Sequence, residues 1–94
     1  MLKHNAFFDG KVQSVGFERN GRRHTVGVID VGEFHFGTDA PERMDIVAGR
    51  CRVRLDGQPE WREVEAGQSF QVPGKSGFDI VVGSGIAEYV CSFE

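Results

Sequence analysis

Glu42 is the residue around which chemistry can be built. It opens an alternating run inside Thr38-Asp39-Ala40-Pro41-Glu42-Arg43-Met44-Asp45-Ile46-Val47-Ala48-Gly49, after a proline that turns the chain and before a glycine that closes the stretch. The strand period of two places Glu42 on one face with Met44 and Ile46. A carboxylate among apolar neighbours is costly unless it is paired or hydrogen-bonded, so this position demands a structural partner or a ligand. A second stretch, Gly67-Gln68-Ser69-Phe70-Gln71-Val72-Pro73-Gly74-Lys75-Ser76-Gly77-Phe78, brings hydroxyl groups, an ammonium and a terminal aromatic. The other reactive residue types are not spaced for chemistry. His4, His24 and His35 do not stand at metal-ligand intervals. Cys51 and Cys91 form no CxxC motif and lie in apolar alternating stretches, where they read as free core thiols, with a disulfide between them as the alternative.

The elements that must position these groups are strands. Thirteen glycines and three prolines fall between short alternating runs, and no segment holds a helical period. Lys11–Phe17 opens the series, and Asn20-Gly21 turns it into His24–Asp30 as a hairpin. In Glu33–Thr38, Phe34, Phe36 and Thr38 share a face and His35 points outward. Arg50–Leu55 sends Cys51, Val53 and Leu55 inward and three arginines outward, a ladder that reads as edge protection, with a subunit contact as the alternative. Glu60–Val64, Ser69–Val72, Phe78–Val82 and Ile86–Phe93 complete the set, with Trp61 expected as a core or dimer anchor. Such a succession predicts an all-β sandwich or small barrel, one domain over residues 1–94.

Bulk properties exclude several functions. The net charge of -3 argues against binding a nucleic acid backbone, and the basic cluster from Arg19 to His24 reads as a solvated turn. No apolar run approaches a membrane span and no leader is visible, so a cytoplasmic protein with no membrane partner is expected.

Glu42, six residues, then Gly49 resembles the closing half of the first motif of the cupin superfamily. Gly67, five residues, Pro73, four residues, then Phe78 resembles the second. Metal-binding cupins carry histidines where this chain has Phe36, Thr38 and Phe78, so the resemblance is to a single-domain jelly-roll barrel without a metal. Across nearly its whole length the chain is similar to the pyrimidine/purine nucleoside phosphorylases. The residues that carry this include Phe8 with Gly10-Lys11-Val12, Ser14 with Gly16-Phe17, Val26-Gly27-Val28, Gly32-Glu33, Phe36 with Thr38, Pro41-Glu42 with Met44, Gly49, Trp61, Ala66-Gly67, Phe70, Val72-Pro73, Ser76 with Phe78, and Tyr89 with Cys91. The resemblance implies phosphorolysis of purine and pyrimidine nucleosides to free base and ribose 1-phosphate. It also implies a homodimer that uses inorganic phosphate as co-substrate and no cofactor.

If the two motifs hold barrel positions, Phe36, Thr38, Glu42, Met44, Ile46, Phe70, Val72, Phe78 and Ile80 face the cavity with Tyr89 beside them. Glu42 and Thr38 are then the candidate catalytic groups. Glu42 either accepts ribose hydroxyls and stabilises positive charge at the anomeric carbon, or merely locks its turn through Thr38 and backbone donors. Phe36, Met44, Ser76, Phe78, Tyr89 and Lys75 are the candidate substrate contacts, Phe36 and Phe78 by stacking on a base. For phosphate the candidates are Thr38, Ser76, Lys75 and an amide nest over residues 74–77, or Arg22, Arg23 or Arg43 from a partner subunit. A catalytically inert cupin that senses a nucleoside, nucleotide or sugar is the alternative function.

Overall fold

In the computed structural model, which describes all 94 residues, the chain forms ten strands and no helix. They are β1 Lys3–Phe7, β2 Val12–Arg19, β3 Arg22–Ile29, β4 Gly32–Gly37, β5 Glu42–Ala48, β6 Arg50–Leu55, β7 Arg62–Glu65, β8 Ser69–Val72, β9 Gly77–Val82 and β10 Ala87–Phe93. Asn20 and Gly21 adopt positive φ values of 54° and 76°, the pair of left-handed residues that a two-residue hairpin turn needs. The turn sets the β2–β3 register, which pairs Val12 with Ile29 and Ser14 with Gly27.

Every strand pairing is antiparallel. A six-stranded sheet runs β1-β2-β3-β10-β5-β8 and a four-stranded sheet runs β4-β9-β6-β7. Their inner faces share one cluster of buried apolar side chains: Val12, Ile29, Met44 and Ile46 come from the first sheet, and Phe34, Val53, Phe78 and Ile80 from the second. Alternation dictates this. In β6, Cys51 and Val53 are buried while Arg50 and Arg52 are exposed. Cys51 and Cys91 are both buried free thiols, as expected.

Three expectations need correction. The outward arginines do not protect an edge, because β6 lies between β9 and β7. They instead face acidic residues across the sheet: Arg50 is opposite Glu65, Arg52 opposite Glu63, and Arg54 opposite Asp79, to which its guanidinium donates at 2.9 Å. Of the two roles expected for Trp61, the core one is not taken: it precedes β7 and is only half-buried outside the core, with the Arg52 and Arg54 guanidinium carbons 5.4 and 4.7 Å from its ring centroid. A further strand, β1, precedes the expected first one. Its side chains are mostly exposed and it pairs with β2 alone, so backbone pairing defines it and no apolar alternation announces it.

Candidate active site

A cavity of about 330 Å³ lies between the inner faces of the two sheets, within the size range of small-molecule sites. The four-stranded sheet contributes Phe36 and Phe78. The six-stranded sheet contributes Glu42 and Met44 from β5, Tyr89, Cys91 and Phe93 from β10, Arg23 and Thr25 from β3, Ser14 from β2, and Asn5 and Phe7 from β1. Both walls therefore carry aromatic rings, and the polar side chains all come from the six-stranded sheet.

Glu42 stands at the start of β5, half-buried, with Phe93 as its cross-strand partner. Its only side-chain partner is the Cys91 thiol, which donates to Oε1 at 3.5 Å. Burial raises the Glu42 pKa above the usual carboxylate value, against smaller opposing effects of the Cys91 hydrogen bond and the Arg23 charge. The expected lock through Thr38 is not formed. Thr38 Oγ1 instead donates to the Pro73 carbonyl at 2.6 Å and accepts from the Ser76 amide at 3.0 Å, so it ties the β4 end to the 73–76 turn. Glu42 thus has one weak donor and retains acceptor capacity toward the cavity.

The Phe36 and Phe78 rings stack on each other with centroids 5.7 Å apart, and Phe7 meets Phe36 edge-on at 6.2 Å. Phe78 is 2% exposed, so it buttresses Phe36, whose ring is the one with accessible surface. Tyr89 lies over Gly27, its partner in the β3–β10 pairing. Burial pushes its phenol pKa upward, while the neighbouring Ser14 and Thr25 side chains pull the other way.

Of the residues anticipated from sequence, the structure brings Phe36, Glu42, Met44, Phe78 and Tyr89 to one cavity. Thr38, Ser76 and Lys75 are not among its lining residues. Two amides of the expected nest are already spent: the Lys75 amide donates to the Asp39 carbonyl at 3.0 Å, and the Ser76 amide to Thr38. Lys75 itself is exposed, with φ of 52°. No three His, Cys, Asp or Glu side chains come together to hold a metal ion.

Sequence reasoning missed Asn5, Phe7, Ser14, Thr25 and Phe93; it read Arg23 as part of a solvated turn and offered it to a site only from a partner subunit, whereas here it lines the cavity of its own chain. The signal available was the Asn20-Gly21 register, which puts Ser14 opposite Gly27 and aligns the inward face of β3 with Arg23, Thr25 and Ile29. Apolar alternation pointed the other way, because Val26 and Val28, both about two-fifths exposed, occupy the outer face of that strand.

This paired-sheet architecture with a cavity between the inner faces is cupin-like. The EutQ protein of Clostridium difficile superposes with a TM-score of 0.72 at 14% identity, covering 87% of this chain and 67% of that one. A Vibrio parahaemolyticus protein of unknown function superposes more closely, with a TM-score of 0.96 at 39% identity over 100% of this chain and 99% of its own. Residues 2–93 match the sequence model of the pyrimidine/purine nucleoside phosphorylases. The Sorangium cellulosum protein of that name is 66% identical over 93 residues, 99% of each chain. The chain belongs to the pyrimidine/purine nucleoside phosphorylase family.

Proposed function

We propose that this protein is a nucleoside phosphorylase of broad base preference, a pentosyltransferase that moves ribose from a purine or pyrimidine base to phosphate. The observation that carries the reading is the position of Glu42, a half-buried carboxylate with one weak donor, in a cavity shared with the accessible face of Phe36. Family membership supports catalysis over the inert sensor. In the reaction an oxygen of hydrogenphosphate bonds to the anomeric carbon as the bond from that carbon to the base nitrogen breaks. The bonding electrons leave with the base, and the phosphate proton balances the one the base acquires.

Bond cleavage at the anomeric carbon develops oxocarbenium character, which a nearby carboxylate stabilises. Glu42 serves this role or holds the ribose hydroxyls, and Phe36 takes a base face without reading its edges. Holding both reactants together supplies much of the acceleration. The same reading takes the protein as a cytoplasmic homodimer that uses phosphate as co-substrate and neither a metal nor an organic cofactor. An apolar strip on the outside of the six-stranded sheet, where Val26, Val28 and Val47 are 40%, 41% and 57% exposed, supports the dimer.

The test is base release from inosine, adenosine, uridine and cytidine with and without phosphate, with ribose 1-phosphate followed as product. Release that requires phosphate is expected. Release independent of phosphate, or none from any of the four, sinks the proposal.

A further inference from the structure

We propose that Arg23 of the same chain is the phosphate anchor of the cavity, with the Ser14, Thr25 and Tyr89 hydroxyls completing an oxyanion subsite on the six-stranded sheet. The identity of the anion rests on the phosphorylase reading above, whereas the existence of the subsite rests on geometry.

Arg23 is the only cation lining the cavity. Its guanidinium carbon sits 4.6 Å from the Phe93 ring centroid, a contact that orients the group without using its N–H donors. No carboxylate lies within ion-pair distance of it, although Glu18 is its cross-strand partner, and its side chain donates no hydrogen bond within the protein. A planar fork with free donors beside an apolar ring is suited to bidentate recognition of phosphate.

The competing cations are occupied or face elsewhere. Arg54 is paired with Asp79 and Arg43 with Asp45. Arg22 points to the opposite face of β3, into an outer groove with His24, Arg43, Asp45 and Glu94. On the cavity side, Ser14 and Tyr89 are 5% and 8% exposed and Thr25 is half-buried, so three hydroxyls border the same wall in a setting that strengthens hydrogen bonds. An adjoining groove shares Arg23 with Lys3 and Glu18, whose opposite charges offset each other there.

The arrangement explains how a phosphate dianion enters a cavity that already holds a carboxylate. Glu42 repels it, but the Arg23 charge offsets that repulsion. Phosphate on the β3 wall and a base against Phe36 on the facing sheet leave the anomeric carbon between them, beside Glu42. One chain then supplies both the carboxylate and the anion-binding cation, with no arginine from a partner.

The experiment is equilibrium dialysis of radiolabelled inorganic phosphate against the full-length protein without nucleoside. It is run on the native chain, Arg23→Lys, Arg23→Met and, as a control on the opposite face, Arg22→Met. Loss of phosphate affinity by about 10- to 100-fold is expected in Arg23→Met, as for one charge-assisted hydrogen-bond pair, with a smaller loss in Arg23→Lys and none in Arg22→Met. In turnover, the KM for phosphate rises in Arg23→Met while that for nucleoside does not. A second measurement needs no variant: phosphate should slow phenylglyoxal labelling of Arg23 in the native protein and leave Arg22 unaffected, as read by peptide mass spectrometry. Unchanged phosphate affinity in Arg23→Met, or unprotected labelling of Arg23, overturns the assignment. Arg23-dependent phosphate binding without phosphate-dependent base release would leave the subsite standing and remove the phosphorylase reading. Phosphate-dependent release that is indifferent to Arg23 would do the reverse.

Discussion

A Cβ atom on Gly27 would lie 2.6 Å from the Tyr89 ring, because the phenol covers the bare backbone of its partner in the β3–β10 pairing. Its other near neighbour is the Gln13 carbonyl oxygen at 2.7 Å, so the obstruction includes rigid backbone. Gly27→Ala should therefore destabilise the fold by about 1–3 kcal/mol, as overpacking does, and should displace Tyr89 from the cavity wall. Urea unfolding checks the first effect and nucleoside KM the second. Gly83→Ala is the control, since nothing lies within 4 Å of an added Cβ there. It should stay within about 0.5 kcal/mol of the native protein.

Replacing Glu42 by Gln separates a functional carboxylate from a structural lock. Burial holds the folded-state pKa of Glu42 above its ordinary 4.5. A raised carboxylate contributes stability that is present below 4.5 and is lost as pH rises through the folded value, so ionised Glu42 weakens the fold at neutral pH. Glu42→Gln should raise Tm at pH 7, and the difference should shrink as pH falls toward 4.5. It should also lower kcat/KM roughly 100- to 1,000-fold, the usual effect of removing one charge-stabilising group. A destabilised Gln variant with normal turnover would make Glu42 a lock.

The architecture was legible because Arg50–Leu55, Phe78–Val82 and Ala87–Phe93 alternate with one face buried, and one buried face is what periodicity reports. Phe36, Glu42, Met44, Phe78 and Tyr89 were legible only once parity was combined with the two motifs, which say which face lines the cavity. Arg23 and Thr25 were not, since β3 has exposed valines on its outer face, and parity follows apolarity, not the cavity. β1 was hidden because its stability comes from backbone pairing with β2, which leaves no mark on composition. Thr38 and Ser76 have the residue types of a phosphate site, but the Thr38 hydroxyl is used on the Pro73 carbonyl and the Ser76 amide, and neither residue lines the cavity. A sequence shows donors without showing which are already spent.

Alkaline pH should unfold the protein through three buried weak acids. Burial pushes the Cys51 thiol up to about 11, and it raises Tyr89 and Cys91 as well, with the Glu42 charge adding to the rise at Cys91. Each group contributes stability that is intact below its ordinary pKa, 9.0 for the thiols and 10.0 for the phenol, and that is lost as pH climbs through the raised folded value. Tm should therefore fall progressively above about pH 9, and less steeply in Cys51→Ala. The thiolate is the reactive form, so neither cysteine should be alkylated by iodoacetamide at pH 7.5 in the folded protein, while both should react in urea. Rapid native labelling of either thiol would contradict the burial described here.

Phe36 and Phe78 stack on one another, yet they should respond differently to truncation. Phe78 is 2% exposed and also meets Phe70 edge-on at 5.4 Å, so Phe78→Ala opens a hole in the core and should cost about 3–5 kcal/mol of stability. Phe36 retains accessible surface on the cavity, and its loss removes the platform for the base. Phe36→Ala should weaken nucleoside binding by about 1–3 kcal/mol, the range for base–aromatic stacking. Because a ring face does not read base edges, the rise in KM should be similar for inosine and uridine, and Phe36→Tyr should restore most of it. A Phe36→Ala variant that discriminated strongly between purine and pyrimidine nucleosides would show that this wall recognises the base by shape, and broad specificity would then have to come from the polar groups around Glu42.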